Sequence, residues 1–491
     1  MDLRSLLEKQ VKEIPHKTFI YFEDPEGKSQ EISYSDFDLK VNRLANDLLQ
    51  LGVKKSTVVS ILIPNCPEWL CIFFACAKIG AIAGPINTGF KGEEIKYQLN
   101  HSGAAVLVTN AYFLEIISEV RKDCNHLQHI VVIDQEQSSP EVLSFSCLIR
   151  GSSSSPPPVV FDKDDILCIM YTSGTSTGIP KGVLIPNLKY VAAGEGYTRA
   201  SRVTSEDRII FASPLFHGNA LLCGVMMGLT PGGSIVFPER FSASRFWSQV
   251  NRYQATVFVT LGAIVRILLN LPPSEEEAQH PLRLILAMTE TQAGTTTPVD
   301  GSYKLGSVGY PMSHIEMKIF NEEGKEVPPN TQGEIVFRHR DIMKGYYKNP
   351  EAMAESIRDG WFYTGDIGYR DEDGCFYFVD RKKDIVRRSG ENISAREVEE
   401  VLNNHPKILE SAVVGVPDNI RGEEVKAYLV VNNGAEPPLP EEIIEYCKER
   451  LADFKVPQYI EFRESFPKTA TGRIQKIIIL KEEAKKTVER L

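Results

Sequence analysis

The sequence lacks several features, and each absence narrows what the protein can be. Its nine cysteines form no CxxC pair and no Cys/His cluster at metal-ligand spacing, which excludes a zinc ribbon or a thioredoxin-like redox motif. Cys66, Cys71 and Cys76 recur among mostly apolar neighbours and read as small core residues, so a reducing, cytoplasmic setting is expected. The opening MDLRSLLEKQ is charged and amphipathic, without the apolar centre of a signal peptide. The most apolar stretch, Leu70–Pro85, is interrupted by Lys78 and falls short of a membrane span. It reads as a buried helix running into a strand. Surplus basic charge is also missing. A formal net charge of -10 argues against a nucleic-acid partner. It does not exclude a phosphate-bearing ligand, which backbone amides and a few placed cations can hold on an acidic protein.

What is present is the composition of an ordinary soluble protein, 42% hydrophobic and 24% charged, in a chain too long for one core. Short β-branched runs (Val58–Ile63, Ala105–Thr109, His129–Ile133, Ile166–Thr172, Ile209–Ala212, Ser234–Phe237, Val257–Thr260) alternate with amphipathic stretches such as Tyr34–Leu51 and Gly92–His101. That alternation predicts α/β layers with largely parallel sheets, and no internal repeat interrupts it. GSSSSPPP at Gly151–Pro158 has the composition of a linker but is read as a surface loop inside a large domain. The boundary is placed at Asp380, after a Gly/Asp-rich run of turns from Asp359 to Gly374, giving domains 1–379 and 380–491. Beyond it the pattern predicts helix Ala395–Asn403, strands Glu410–Val416 and Val425–Val431, and helix Pro440–Leu451.

The strongest chemical signal is Tyr171–Gly182, YTSGTSTGIPKG, directly after the apolar run Ile166–Met170. Glycines let the backbone wrap an anion; Thr172, Ser173, Thr175, Ser176 and Thr177 can donate to phosphate oxygens, and Lys181 adds a point charge. The spacing to Lys181 is not that of a Walker A loop, and no Ser or Thr follows the lysine. Taken alone, a flexible polar turn explains the segment equally well.

Further segments follow it in order: PLFH at Pro214–His217, MTET at Met288–Thr291, GSVGYP at Gly306–Pro311 and GEIV at Gly333–Val336. Then come MKGYYKN at Met343–Asn349, GWFYTGD at Gly360–Asp366, DRKKDIVRRSGENIS at Asp380–Ser394 and PKTATGRIQK at Pro467–Lys476. With these nine pieces spanning nearly the whole chain, the sequence resembles the adenylate-forming superfamily of acyl-CoA synthetases, aryl-CoA ligases, luciferases and adenylation domains. The resemblance implies a large N-terminal domain of stacked α/β/α layers with a distorted β-barrel portion and a small mobile α+β C-terminal domain, hinged at Asp380. It implies an acid–thiol ligase: ATP converts a carboxylic acid to acyl-AMP with release of pyrophosphate, and coenzyme A then takes the acyl group. Positioning and charge neutralisation should dominate such chemistry.

The resemblance also implies roles. The loop Thr172–Gly178, including Gly174, with Lys181 would hold the phosphates, Thr289 the α-phosphate, and Glu290 with Thr175 the Mg²⁺ ion, a hard cation suited to oxygen. Asp366 would accept the ribose hydroxyls, with Arg381 near ribose or phosphate. The small domain would act twice, first presenting a cation from the last motif. It would then rotate to bring Arg387–Asn392 to the thioester step, with Gly390 beside the pantetheine channel. His217, Gly262, Gly306 and Gly309 would line the acyl pocket, and a satisfied core histidine is an equal reading of His217. Seen singly, Glu290 could be a helix-start carboxylate, Asp366 a turn residue and Arg381 a surface arginine.

Three departures matter. The phosphate loop is one residue longer than the usual pattern. Arg473 stands where most relatives have the adenylating lysine, its planar fork differing from an ammonium; either Arg473 or Lys476 serves the step, or adenylation relies more on Mg²⁺ and the phosphate loop. Finally, PLRLILA at Pro281–Ala287 runs straight into MTET, where relatives place two to three dozen residues that help cradle adenine. The preferred reading is that a disordered stretch is absent from the sequence as written; a true deletion would weaken ATP binding. Two alternatives stay open: an adenylation enzyme loading a separate carrier protein, and a catalytically weak nucleotide-binding protein. The acid, its chain length, and monomer against homodimer are left undecided.

Overall fold

The computed structural model describes residues 1–491 apart from 151, 173–179, 261, 288–294, 297–303, 313–314, 340–342, 390, 419, 433, 435, 469–473 and 490–491. Two large sheets dominate the N-terminal body. The first has eight strands in the order Gly345–Tyr346, Lys181–Pro186, Ile166–Thr172, Ile82–Pro85, Val58–Leu62, Val106–Thr109, His129–Val132, Leu143–Ser144. It is parallel from Ile166–Thr172 onward, and its first two strands join antiparallel. The second runs Leu284–Ala287, Val257–Thr260, Arg208–Phe211, Ser234–Pro238, Thr18–Glu23, Ser29–Ser33, parallel except for its last pair.

Period-two alternation explains how the layers stack. Val59, Ile61, Val106 and Val108 of the first sheet share one core with Ile209, Phe211, Ile235 and Phe237 of the second, filled by helices Tyr34–Gln50 and Pro67–Ile79. Their neighbours Val58, Leu62 and Leu107 enter a separate core with helix Gly92–Ser102. Ile210, Val236 and Phe258 enter another with helix Phe246–Arg252. Both faces of each sheet are thus covered, as parallel strands require.

Helix Pro67–Ile79 is buried at every position except Glu68 and stops at Gly80, which takes the left-handed conformation. Strand Ile82–Pro85 follows, as the apolar stretch predicts. Lys78, the charge that interrupts it, is fully buried; its Nζ lies 2.5 Å from Asp38 Oδ1 and 2.7 Å from Asn42 Oδ1 on the adjoining helix. The Ser/Pro-rich stretch is a surface loop: Asn46 donates to the carbonyls of Ser153 and Ser155, and the strand after it joins the first sheet.

The portion expected as a distorted barrel is a five-stranded antiparallel sheet of Glu316–Phe320, Gly333–Arg338, Trp361–Arg370, Ile357–Arg358 and Phe376–Arg381. One expectation needs correcting here. The supposed run of turns from Asp359 to Gly374 contains the ten-residue strand Trp361–Arg370. Its glycines do not break it. A Cβ on Gly368 would lie 2.3 Å from Tyr377 O, so the glycine permits close pairing with the next strand.

The C-terminal body is smaller: strands Glu391–Ser394, Ile385–Arg388, Gly422–Val431, Ile408–Asp418 and Tyr459–Phe462 form one sheet. Helices Ala395–Asn403 and Pro440–Lys448 cover one face, through Val398, Leu402, Ile443 and Cys447.

Candidate active site

The phosphate-loop segment enters on Ile166–Thr172 and leaves on Lys181–Pro186, which pair antiparallel with Thr172 opposite Lys181 and Tyr171 opposite Gly182. The MKGYYKN segment supplies the adjoining strand, Gly345–Tyr346, and Lys181 Nζ sits 5.3 Å from the Tyr346 ring centre. The other side of the stem is gripped by the end of helix Gly92–Ser102. His101 Nδ1 is 2.9 Å from Tyr171 Oη, Tyr97 stacks on the His101 ring, and Tyr97 Oη donates to Pro180 O at 3.2 Å. Lys348 Nζ donates to His101 O and Tyr347 Oη to Ser102 O. Burial and the nearby Lys348 ammonium hold the His101 pKa below its ordinary value. Tyr97 and His101 do not stand out in the sequence, and Tyr347, although inside MKGYYKN, carries no assigned role there; proximity in space gives all three this task.

Asp366 is almost completely buried and lies opposite Arg381 on the next strand, with Arg381 Nε 3.1 Å from its Oδ1. The turn before it is fixed by Glu334, which accepts from Gly365 N–H at 3.0 Å and pairs with Lys382 at 2.9 Å. Gly309 is buried with a positive φ, and its carbonyl accepts from Phe376 N–H at 2.8 Å, tying GSVGYP to the strand that ends in Arg381. Gly306 is exposed in the preceding turn. His217 follows a segment held by Asn65, which accepts from Leu215 N–H and donates to Ser213 O. A Cβ on Gly218 would lie 3.3 Å from Met170 Sδ, so PLFH packs beside the strand that delivers the phosphate loop. Gly262 opens helix Gly262–Leu269 after strand Val257–Thr260.

In the smaller body, Arg387 is exposed and pairs with Glu322 of the larger body at 3.2 Å. Its neighbour Arg388 is buried against Glu424 at 2.7 Å. Lys476 pairs with Glu399 at 2.7 Å. Ser173, Gly174, Thr175, Ser176, Thr177, Gly178, Thr289, Glu290, Gly390 and Arg473 lie outside the described residues, and of Thr172 only the backbone is described. Among the described residues no group of three acidic, histidine or cysteine side chains could hold a metal ion, and no helix is long and apolar enough to cross a membrane.

The family model described as AMP-binding enzyme matches residues 7–287 and 285–347, and that of the AMP-binding enzyme C-terminal domain matches 397–473. The chain belongs to the AMP-binding enzyme family. A crotonobetaine/carnitine–CoA ligase of Escherichia coli is 33% identical over 507 residues, covering 96% of this chain and 97% of that one. ATP-bound MatB from Rhodopseudomonas palustris superposes with a TM-score of 0.86 at 26% identity, over 98% of each chain. The anthranilate CoA ligase AuaEII in complex with anthranoyl-AMP gives 0.87 at 27% identity, over 98% of this chain and 97% of that one. This member of the family is accordingly an acyl-CoA synthetase, an AMP-forming acid–thiol ligase that uses ATP and CoA.

The break in the family match falls at 285–287, the end of strand Leu284–Ala287. The 507-position alignment takes in 96% of the 491 residues, so about three dozen positions stand opposite a gap in this chain. The sequence runs from Ala287 directly into Met288 there.

Proposed function

We propose that this synthetase activates a carboxylic acid with an uncharged, apolar body, with ATP entering as its Mg²⁺ complex. The observation that carries the nucleotide half of the reading is the buried Asp366 on a strand beside Arg381. A carboxylate there can accept two vicinal ribose hydroxyls while the guanidinium faces the phosphates. The loop 172–178 with Lys181 holds the phosphates, Thr289 meets the α-phosphate, and Glu290 with Thr175 supplies oxygen ligands to Mg²⁺. The smaller body, from Asp380 on, brings a cation to the adenylate and then Arg387 and Gly390 to the thioester step. Asp380 suits a pivot, because its carboxylate accepts from Ser394 Oγ and Arg396 N–H at the head of the next helix.

The acyl half rests on His217, Gly262, Gly306 and Gly309 with their neighbours Ala220, Leu221, Leu222 and Val259, which are buried and apolar. None of these carries a carboxylate, which supports an apolar acyl body over a cationic one such as that of the carnitine-type acid in the relative's name. Incubation with ATP, Mg²⁺, CoA and a panel of fatty, aryl and trimethylammonium acids tests both halves. Pyrophosphate release with an apolar acid is expected. Release with crotonobetaine alone would overturn the substrate class, and release with no acid would overturn the activity.

A further inference from the structure

The last motif, Pro467–Lys476, is pinned at both ends of 469–473, which lie outside the described residues. Lys468 bridges Ile474, Gln475 N–H donates to Pro467 O at 2.8 Å, and Gln475 Nε2 donates to Lys468 O at 2.9 Å. Each end carries an ion pair. Lys468 Nζ meets Glu410 at 2.5 Å on the surface, and Lys476 Nζ meets Glu399 Oε1 at 2.7 Å, with under a fifth of either latter side chain exposed. Glu399 is itself fixed. It rises from helix Ala395–Asn403, and its Oε1 also accepts from Val413 N–H of strand Ile408–Asp418 at 2.7 Å. One carboxylate therefore joins three elements: that helix, that strand, and helix Lys476–Glu489, which Lys476 begins.

An ammonium whose charge is already matched by a carboxylate, and which is mostly covered, is poorly placed to neutralise a phosphate as well. We propose that Lys476 is a positioning residue and Glu399 its anchor, the two clamping the base of the last motif, so that Lys476 is not itself the cation that meets the forming adenylate. This rests on the reading that the last motif serves the adenylation step. The chemistry explains why a glutamate serves as the anchor. Its charge is needed to hold the lysine; burial pushes its carboxyl above the ordinary value, and Lys476 and the Val413 amide offset that only in part.

Three variants test this: Glu399→Gln, which keeps an acceptor for Val413 N–H, Lys476→Met, and the double substitution. Adenylation is read as pyrophosphate release at saturating ATP. The thioester step is read separately, from synthetic acyl-adenylate and CoA. Closure of this base is read from hydrogen exchange at the Gln475 amide without substrates. Both single variants should lower the adenylation kcat alike, about tenfold to a hundredfold, with KM for ATP within about twofold. The double variant should lose no more than the worse single one, the thioester step should hold, and exchange should rise in all three. A Lys476→Met loss with Glu399→Gln as fast as the parent or faster would make the lysine the acting cation and overturn the proposal. Unchanged exchange would overturn it as well, and so would faster exchange with unaltered adenylation. If the parent enzyme adenylates no acid, the functional reading falls, while the exchange arm still decides whether the clamp exists.

Discussion

Lys78 shows why a single residue's identity says little until its neighbours are known. In the sequence it is a charge that spoils an apolar run; in the fold it is a fully buried ammonium paired with Asp38 and Asn42. A buried pair adds little net stability, but losing one partner strands the other, at a cost of about 3–5 kcal/mol. Lys78→Met should shift chemical denaturation by that amount, and adding Asp38→Asn should recover most of it; equal losses in single and double variants would refute the pairing. His101 makes a pH prediction. Its folded pKa is depressed, so the unfolded chain binds the proton more readily. Its contribution is fully present above the unfolded value of about 6.5 and is lost as pH falls through the lower folded value. Thermal unfolding between pH 7 and pH 5 should therefore show a smaller loss of stability in His101→Gln than in the parent.

The elements around the phosphate loop were legible because each carries a local signature. The strand Ile166–Thr172 is an apolar run ending at a glycine-rich turn, and it folds with the bounds its sequence predicts. The brace behind it was not legible. Tyr97 and His101 lie on a helix some seventy residues before Tyr171, and Tyr347 lies far after it; no periodicity links them. Strand Trp361–Arg370 was missed for a related reason. Glycines read as turn formers in sequence, but here Gly368 makes room for a neighbouring backbone. Strand Leu284–Ala287 forms the edge of its sheet, with Ile285 about half exposed, and the family match breaks on it. The resemblance implies that relatives help cradle adenine with residues placed after this strand, so weak ATP binding is expected of this chain. Grafting the residues that the crotonobetaine/carnitine–CoA ligase places at this point after Ala287 should tighten ATP binding by about tenfold or more, measured by calorimetry. No change would show that the missing piece is not what limits nucleotide affinity.

At the scale of the whole molecule, one contact between the two bodies is suited to being broken. Arg387 and Glu322 are both largely exposed, and such a pair contributes about 0–1 kcal/mol. Glu322→Gln should leave stability unchanged within about 0.5 kcal/mol. Arg387→Ala should slow thioester formation from supplied acyl-adenylate while sparing pyrophosphate release; the reverse pattern would remove Arg387 from the thioester step. The sequence by itself pointed to the family, to most of the strands and helices, and to the residue types proposed to meet ATP, because backbone propensity, period and glycine-rich turns act over a few residues. Only the tertiary structure decided that Lys476 is held by Glu399, that Lys78 is neutralised by Asp38, and that His101 braces the phosphate loop. Ion pairs and ring contacts depend on distance in space, and the chain separation between these partners carries no trace of it.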